Sequence, residues 1–445
     1  MTTVPATMVD AAAALRRGDL TSRDLVHSAL SAIGTHNADT HAFIRVDADV
    51  ARAAAAVADA DLAAGRDRGP LHGLPISLKD LIDIAGQPTT AGSKVFATRV
   101  AMADAPVTTR LKDAGAIIIG KTNLHEFALG PTSEDSAWGP VLHPKDHRRL
   151  AGGSSGGAAV AVATGMSLGS IGTDTGGSIR IPAAACGLVG LKPSAEEVPA
   201  AGVIPLSVTL DHVGPLARTV QDAAWLWSVL AGVPIHTVEA PALQGLRLGV
   251  LGGYFAHPIA PDVRTLFDKA LSQLSDAGIV LSDAAVPDAA LIVDTYVNIV
   301  LPEGAHWHAP WLDTVADQYT PTVRDRLLSG RHIPAVAYLQ ARHRRLRLRQ
   351  QVDALLEHVD VLVLPTLPMV APLLGQSEAM LGTDTMPVRA ALLKHTQLFN
   401  LTGHPAITLP VPARDLSMGV QLIGRRGQTA RLLDVAAACE AVICP

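Results

Sequence analysis

Short apolar runs with β-strand character alternate along the chain with Ala- and Leu-rich runs of helical character. The strand-like runs are residues 74–80 (LPISLKD), 115–122 (GAIIIGKT), 246–253 (LRLGVLGG) and 359–368 (VDVLVLPTLP). Strands that are separated by helices pair mostly in parallel, and the helices cover both faces of their sheet. The alternation therefore predicts an α/β fold built on a mostly parallel sheet.

The helical runs carry recognisable end signals. Residues 21–33 (TSRDLVHSALSAI) start at Thr21, a predicted N-cap, and Asp24 three residues later makes a weak variant of the capping box. Residues 48–65 (ADVARAAAAVADADLAAG) end at a glycine, which is typical of a helix C-terminus. Residues 156–165 (GGAAVAVATG) carry no charge and are predicted to form a buried helix.

Composition limits the class of protein. With 445 residues, of which 48% are hydrophobic and 17% charged, the chain has ample material for a core. The net charge of −5 argues against a nucleic acid or an anionic membrane as a general partner. Three cysteines are too few and too badly spaced for a disulfide framework or a thiolate metal site. We expect a soluble protein.

Two further stretches bear on location and organisation. The first residues lack the basic-then-apolar order of a signal peptide, and the uncharged run 151–173 holds too much Gly, Ser and Thr for a membrane span. A cytoplasmic protein without a membrane partner is therefore predicted. Residues 232–245 are the best candidate for a boundary between two domains, but a surface loop explains them equally well.

One motif points to a nucleotide and is rejected on physical grounds. Residues 115–122 match the P-loop formula G-x-x-x-x-G-K-[ST], whose middle positions normally form a turn around phosphate. In this chain those positions are Ala-Ile-Ile-Ile, and β-branched residues favour the strand itself. Lys121 is then expected to end a strand near the surface.

Two turns rich in Gly and Ser flank the apolar helix, at residues 151–157 (AGGSSGG) and 172–180 (GTDTGGSIR). The first matches the serine-hydrolase pattern G-x-S-x-G twice, centred on Ser154 and on Ser155, and a phosphate cradle is a third possibility. An α/β-hydrolase needs a strand before this serine and a His and an Asp after it. The sequence shows no convincing strand there and no motif that identifies such a His or Asp. Upstream, Lys79 ends a strand among apolar neighbours, where burial lowers the pKa of an amine and makes it available as a base.

Six segments spread over most of residues 20–430 carry a more specific signal. They are GLPISLKD (73–80), GKTNLHEFALG (120–130), AGGSSGGAAVAVA (151–163), GTDTGGSIRIPAAACGLVGLKPS (172–194), LDHVGPLARTV (210–220) and FNLTGHPAITLP (399–410). Together they resemble the amidase signature family of serine hydrolases. The resemblance implies a single α/β/α domain over 1–445 with a central mixed, mostly parallel twisted sheet. It also implies a helical N-terminal segment at about 1–65 and a signature core at about 70–220.

The resemblance implies a Ser–cis-Ser–Lys triad. By motif, Ser178 is the nucleophile, Ser154 is the bridging serine that relays its proton, and neutral Lys79 is the base. The peptide bond between Gly153 and Ser154 is expected to be cis. Neither serine of AGGSSGG is then the nucleophile.

Further residues are expected to complete this site. A glycine-rich turn presents backbone N–H groups to the oxyanion that forms when the nucleophile attacks. The expected donors are Thr175, Gly176, Gly177 and Ser178. The residues expected to support the site structurally are Gly153, Ser155, Asp174 and Arg180.

The remaining motifs favour ordinary structural roles. His143 and His147 have the spacing of helical metal ligands, but a proline lies between them, so no metal site is predicted. No cofactor is expected either. Residues 342–349 (RHRRLRLR) are predicted to form a solvated helix face.

We therefore expect an amidase that hydrolyses the C–N bond of a linear, small-molecule amide and releases ammonia or an amine. Trp138, Trp307 and Trp311 are candidates for the walls of an acyl pocket, and a homodimer is possible. The alternative is the glutaminase component of a glutamyl-tRNA amidotransferase, its A-type chain, which works with a partner subunit. Residues 192–203 and 322–349 depart from what we expect of that component. A catalytically silent binding protein is a third possibility, which the complete set of lysine and serines disfavours.

Overall fold

Strands and helices alternate along the chain, as the sequence pattern predicts. The computed structural model describes residues 5–413 and 416–444. Its strands are β1 (Phe43–Val46), β2 (Pro75–Lys79), β3 (Ile117–Thr122), β4 (Leu142–His143), β5 (Asp146–Leu150), β6 (Gly169–Asp174), β7 (Val189–Lys192), β8 (His212–Ala217), β9 (Arg247–Leu251), β10 (Val280–Ala284), β11 (Val361–Pro365), β12 (Glu378–Leu381), β13 (Asp384–Pro387), β14 (Ala406–Val411) and β15 (Met418–Ile423). Its α-helices are α1 (Met8–Arg17), α2 (Ser22–Thr40), α3 (Ala48–Ala63), α4 (Pro106–Asp113), α5 (Gly156–Ala163), α6 (Arg180–Cys186), α7 (Val220–Ala231), α8 (Pro261–Asp276), α9 (Ile292–Leu312), α10 (Pro321–Gly330), α11 (Ala335–His358), α12 (Val388–Leu393), α13 (Gln397–Thr402) and α14 (Thr429–Ile443).

One 11-stranded sheet organises the α/β domain, in the order β1-β3-β2-β6-β8-β7-β14-β15-β11-β9-β10. Parallel pairing is confined to two blocks, β3-β2-β6 and β11-β9-β10. From β6 to β11 across the centre, and between β1 and β3, neighbouring strands are antiparallel. The predicted mixed sheet is confirmed, but the description "mostly parallel" holds only for the two blocks. The segment between β7 and β8 contains no helix, and without a crossover helix neighbouring strands pair antiparallel.

The predicted element boundaries hold to within a few residues, except at the end of α2. That helix starts where predicted: the Thr21 side chain accepts a hydrogen bond from the Asp24 N–H, and the Asp24 side chain bonds back to the Thr21 N–H. It continues to Thr40, beyond the predicted end at residue 33. Residues 232–245 connect α7 to β9, and β9 lies in the same sheet as the strands before them.

The apolar helix α5 lies against the sheet between the two glycine-rich turns. Its residues from Gly156 to Val162 are buried, as the sequence predicts. Gly157 allows the backbone to approach closely, since a Cβ at this position would lie 2.3 Å from the Ala42 carbonyl oxygen. Helix α6 starts just after the second turn, and the hydrogen bond from the Ser155 N–H to the Ser178 carbonyl shows that the two turns lie together.

One structural expectation for basic residues is wrong, and a second holds only in part. Lys121 is completely buried rather than near the surface, and its Nζ lies 2.9 Å from Asp80 Oδ1. The isoleucines at 117–119 precede it in strand β3 rather than in a phosphate-binding turn, as predicted. In the run 342–349, Arg345 donates to the Leu401 carbonyl at 2.6 Å and Arg349 to the Thr402 carbonyl at 2.9 Å. That helix face is therefore only partly solvated.

Among the residues that the structure describes, no helix is long and apolar enough to cross a membrane.

Candidate active site

Lys79 ends strand β2, which lies between β3 and β6 in the sheet, and is fully buried, together with every other residue of that strand. Its Nζ donates to Ser154 Oγ at 2.7 Å and to Thr173 Oγ1 at 2.8 Å. Burial lowers the pKa of Lys79 to about 7, although the negative charges of Asp211 and Asp174 oppose the fall. At neutral pH a large fraction of this amine is therefore uncharged and able to accept a proton.

Ser154 lies in the turn that leads into α5, and the peptide bond between Gly153 and Ser154 is cis, as expected from the motif. Ser154 is fully buried. Its carbonyl oxygen accepts hydrogen bonds from the His125 N–H at 3.1 Å and from Ser133 Oγ at 3.2 Å. The loop that contains both of these donors therefore helps to hold the turn in place.

Ser178 lies in the second turn, between β6 and α6, and is 5% exposed where Lys79 and Ser154 are 0% exposed. The two turns are joined by a hydrogen bond from the Ser155 N–H to the Ser178 carbonyl at 3.1 Å. Ser155 Oγ also donates to the Thr173 carbonyl at 3.2 Å. The structure thus brings both turns and the lysine together, with Ser178 the member of the three that retains access to solvent.

One contact of the expected proton path is not made. The Lys79 amine bonds to Ser154 Oγ, but within residues 5–413 and 416–444 the Ser178 hydroxyl has no hydrogen bond, to Ser154 or to any other group. Catalytic hydrogen bonds are often long in a substrate-free site and shorten when substrate binds. The catalytic roles of the three residues remain a prediction that this geometry is compatible with.

The buried pair of Asp174 and Arg180 shapes the second turn. Arg180 Nη2 lies 2.8 Å from Asp174 Oδ1, and both side chains are 0% exposed. Burial raises the pKa of Asp174, but the charge and the hydrogen bonds of Arg180 more than offset this and hold it well below its usual value. The carboxylate also accepts from the N–H groups of Gly177 at 2.8 Å and of Ile179 at 3.1 Å. It therefore fixes the turn by hydrogen bonds, as the sequence suggested.

This arrangement bears on the expected oxyanion donors. The Gly177 N–H donates a hydrogen bond to the Asp174 carboxylate, so in this geometry it does not serve as an oxyanion donor. The N–H groups of Thr175, Gly176 and Ser178 have no hydrogen-bond partner in the part of the chain that the structure describes. Three of the four expected donors are thus not engaged by another group of the described chain.

Several residues at this site were not identified from the sequence. Thr173 shares the Lys79 amine with Ser154. Asp211 accepts from Thr175 Oγ1 at 2.5 Å, and burial raises its pKa to about 6. Asn400 donates to Asp174 Oδ1 at 2.8 Å. Asp211 and Asn400 lie in the segments 210–220 and 399–410 that carry the family resemblance, so the signal was present, but nothing local to those segments reveals what their side chains contact.

The three tryptophans that the sequence offered as walls of an acyl pocket have the following surroundings. Trp307 and Trp311 pack against each other with their rings tilted by 35° and ring centroids 4.9 Å apart, and both contact the ring of Phe96. Trp138 is half-buried on a separate loop. Its loop is joined to the segment that precedes Phe96 by the hydrogen bond from the Ala137 N–H to the Gly92 carbonyl at 2.9 Å.

The histidines with metal-ligand spacing do not share a site. His143 is buried, with Nε2 3.0 Å from the Ala185 carbonyl oxygen, whereas His147 is exposed. The described residues contain no group of three or more His, Cys, Asp or Glu side chains placed to hold a metal ion.

Comparison with known proteins identifies the family. The model of the amidase family matches residues 24–433. The A-type chain of a glutamyl-tRNA(Gln) amidotransferase from Chloroflexus aurantiacus is 36% identical over 472 residues, which cover 96% of this chain and 95% of that protein. A crystal structure of an amidase superposes with a TM-score of 0.94 at 36% identity, covering 98% of this chain and 100% of that one. Native peptide amidase from Stenotrophomonas maltophilia has a TM-score of 0.83 at 28% identity, covering 98% of this chain and 97% of that one. The chain therefore belongs to the amidase signature family of enzymes.

Proposed function

We propose that the protein hydrolyses a small carboxylic amide through an ester formed on Ser178. The observation that supports this most directly is the buried Lys79 amine, which bonds to Ser154 Oγ beside the turn that carries Ser178. A serine hydroxyl is a weak nucleophile at neutral pH and needs an adjacent base. A buried amine with a pKa of about 7 is such a base.

In the first half of the reaction, Ser178 Oγ attacks the amide carbon while its proton passes to Ser154 Oγ. Ser154 releases its own proton to neutral Lys79, so the hydroxyl acts as a relay. The negative charge that develops on the carbonyl oxygen is stabilised by the N–H groups of Thr175, Gly176 and Ser178. The C–N bond then breaks, and the leaving nitrogen takes the proton from Lys79 by the same path and departs as ammonia or an amine.

In the second half, a water molecule attacks the Ser178 ester. It gives one proton to the relay, and its oxygen bonds to the acyl carbon. The ester C–O bond breaks, Ser178 recovers a proton from the relay, and the carboxylic acid leaves. The sum is one amide and one water converted to one acid and one amine.

A second candidate function is the glutaminase half of a tRNA-dependent amidotransferase. It is supported by the whole-chain similarity to the A-type chain of the Chloroflexus aurantiacus enzyme. In that case glutamine is the substrate, and activity depends on a partner subunit that receives the ammonia. The two candidates share the chemistry at Ser178 and differ in substrate and in the need for a partner.

The test is a hydrolysis panel of small aliphatic amides, aryl amides, ureas and glutamine, with covalent labelling by a fluorophosphonate. We expect the purified chain alone to release ammonia or amine from at least one amide, and the probe to label Ser178. Ser178→Ala should abolish labelling, while Ser282→Ala, a control at an exposed serine of the edge strand β10, should retain it. Labelling of Ser178→Ala at the wild-type rate would refute the assignment, and glutaminase activity that appears only with a co-purified partner would establish the second candidate.

A further inference from the structure

A cavity of about 730 Å³ lies between helix α11 and the segment 193–211 that joins β7 to β8. Cavities of this volume accommodate small organic ligands. On the helix side, its wall contains Arg342, Arg345 and Arg349, which are called the cavity arginines below. None of the three takes part in the reaction proposed above, so the cavity has no role in that reaction.

The cavity arginines follow one face of α11. They are spaced three and four residues apart, which places side chains on the same side of a helix. Arg344 and Arg347, in the same run, lie on the opposite side, and each forms an ion pair with an aspartate. In the part of the chain that the structure describes, the cavity arginines form no ion pair. The unpaired charges are therefore the ones that line the cavity.

Backbone carbonyls hold two of the cavity arginines in position. Arg345 donates to the Leu401 carbonyl at 2.6 Å and to the Thr209 carbonyl at 3.0 Å. Arg349 donates from Nε to the Thr402 carbonyl at 2.9 Å. Within residues 5–413 and 416–444, Nη1 of both arginines and Nη2 of Arg349 make no hydrogen bond. The carbonyls thus orient the two guanidinium groups without neutralising their charge.

Arg342 completes the charged face from a more exposed position. It donates weakly to the Tyr338 hydroxyl at 3.4 Å, and its guanidinium lies over the Tyr338 ring, 5.8 Å from the centroid. Burial lowers the pKa of Arg345 to about 10, and the charge of Arg349 acts in the same direction. Arg345 therefore still carries its charge at pH 7.

The nearby carboxylates do not balance these charges. Three of them accept hydrogen bonds from other side chains, namely Asp211 from Thr175, Glu303 from Thr209 and Asp353 from Arg426. Glu196 lines the cavity as well, and its negative charge acts on Arg349. Among the described residues, one exposed carboxylate thus stands against three guanidinium groups at this cavity.

Apolar side chains lie beside the charged face. Val208, Leu339 and Leu346 line the same cavity, and each of them is more than half exposed. Exposed apolar groups next to unpaired cations match a ligand that has an anionic end and an apolar body.

The number of cations favours phosphate over a carboxylate as the anionic end. A phosphomonoester carries a charge of about −1.5 to −2 at pH 7 and has three strong acceptor oxygens. A carboxylate carries a single charge on two oxygens. Guanidinium groups bind phosphate through charge-assisted hydrogen bonds in paired geometry. Three neighbouring guanidinium groups therefore match a phosphomonoester better than a carboxylate.

We infer that this cavity binds a small phosphomonoester with an apolar or aromatic body, and that Arg342, Arg345 and Arg349 hold its phosphate. The body contacts Val208, Leu339 and Leu346. The inference goes beyond the proposed reaction and does not depend on it, because none of these residues acts on the amide.

The test is calorimetric titration of the purified protein with phenyl phosphate, inorganic phosphate and phenol. We expect phenyl phosphate to bind at least about tenfold more tightly than inorganic phosphate, because its ring buries apolar surface that phosphate alone leaves exposed. Phenol, which lacks the charge, should bind more weakly than phenyl phosphate. No binding of phenyl phosphate at millimolar concentration would refute the inference.

Variants locate the phosphate. Arg342→Gln and Arg349→Gln should each weaken the binding of phenyl phosphate about tenfold, because each removes a charge-assisted contact. Arg344→Gln and Arg347→Gln are the matched controls, since they remove the same charge from the opposite face of the same helix. They should leave the dissociation constant at the wild-type value. Equal weakening by all four variants would show a general attraction between charges and would refute the site.

Two further measurements separate the site from a structural effect and from a different ligand. Arg342→Gln should melt at the wild-type temperature, because that side chain contacts only Tyr338 among the described residues. Leu339→Ser should weaken the binding of phenyl phosphate and leave that of inorganic phosphate unchanged; an equal effect on both would refute the role of the apolar wall. If a 5′-phosphorylated RNA oligonucleotide binds through the cavity arginines and phenyl phosphate does not, the ligand is a nucleic acid and the inference is wrong.

Discussion

The burial of Lys79 leads to a specific pH dependence. The side chain is 0% exposed, and its pKa is lowered from 10.5 to about 7. An amine with the unperturbed value would be uncharged in only about one molecule in 3,000 at pH 7, whereas a pKa of 7 leaves about half of the molecules uncharged. The burial thus raises the concentration of active base at neutral pH by roughly a thousandfold.

The perturbation is pH itself, and the observable is the rate of Ser178 acylation. Because the neutral amine is the base, the rate should rise with pH and level off above about 7, with roughly a tenfold loss per unit below it. The rate of labelling by a fluorophosphonate, followed between pH 5 and 9.5 at constant ionic strength, measures this curve without depending on the natural substrate. An apparent pKa above 9, or a rate independent of pH across the range, would refute the role of Lys79.

The variant Asp211→Asn should shift the pH dependence of the acylation rate in a direction that the structure predicts. The negative charge of Asp211 raises the pKa of Lys79, so its removal should move the rising limb to lower pH, by about one unit. The position of the limb is the readout, because the loss of the contact with Thr175 also changes the plateau rate. A limb that moves to higher pH would contradict the electrostatic reasoning.

The same pKa shift has a thermodynamic consequence. Between pH 7 and 10.5 the unfolded chain binds a proton at Lys79 more strongly than the folded chain does, so this group makes the protein more stable as pH rises through that window. Its full cost, on the order of 5 kcal/mol, is present below pH 7. Lys79→Met should therefore unfold at a higher temperature than the wild type at pH 7, and this difference should shrink by pH 9.5. A constant difference across these pH values would show that Lys79 is charged in the folded protein.

Two substitutions test the second turn. Gly177 has a φ of +134°, and a Cβ there would lie 2.3 Å from a neighbouring side-chain oxygen, so Gly177→Ala should displace the turn and slow acylation on the order of 100-fold. Gly375→Ala, at a φ of +74° with nothing within 4 Å, is the control and should label at the wild-type rate; equal slowing of both would refute the steric argument. Arg180→Met leaves Asp174 buried without its cation and should cost about 3–5 kcal/mol of stability. Thermal melting checks this against Arg148→Met, which removes an exposed ion pair that solvent screens and that should therefore change stability little; similar melting temperatures for the two variants would contradict the reasoning.

The features that the sequence determined are those set by neighbouring residues. Thr21 and Asp24 are three residues apart, so their capping box forms whenever the local helix does. The β-branched run before Lys121 forms a strand and not a phosphate-binding turn because its own side chains favour extended backbone. The apolar neighbours of Lys79 likewise predict its burial, and the structure confirms that burial.

The features that only the tertiary structure decided depend on residues far apart in the chain. Lys121 can be buried because its ammonium group forms an ion pair with Asp80, which lies in another segment of the chain. The Gly177 N–H is engaged by Asp174, which Arg180 and Asn400 hold in place from two different helices. Local sequence does not encode such contacts, because which segments meet depends on how the whole sheet is ordered and how its helices pack.

The sequence alone determined the chemistry that the chain carries, because that chemistry resides in short motifs. The tertiary structure decided what surrounds the reacting bond, because the surrounding side chains come from elements that only folding brings together.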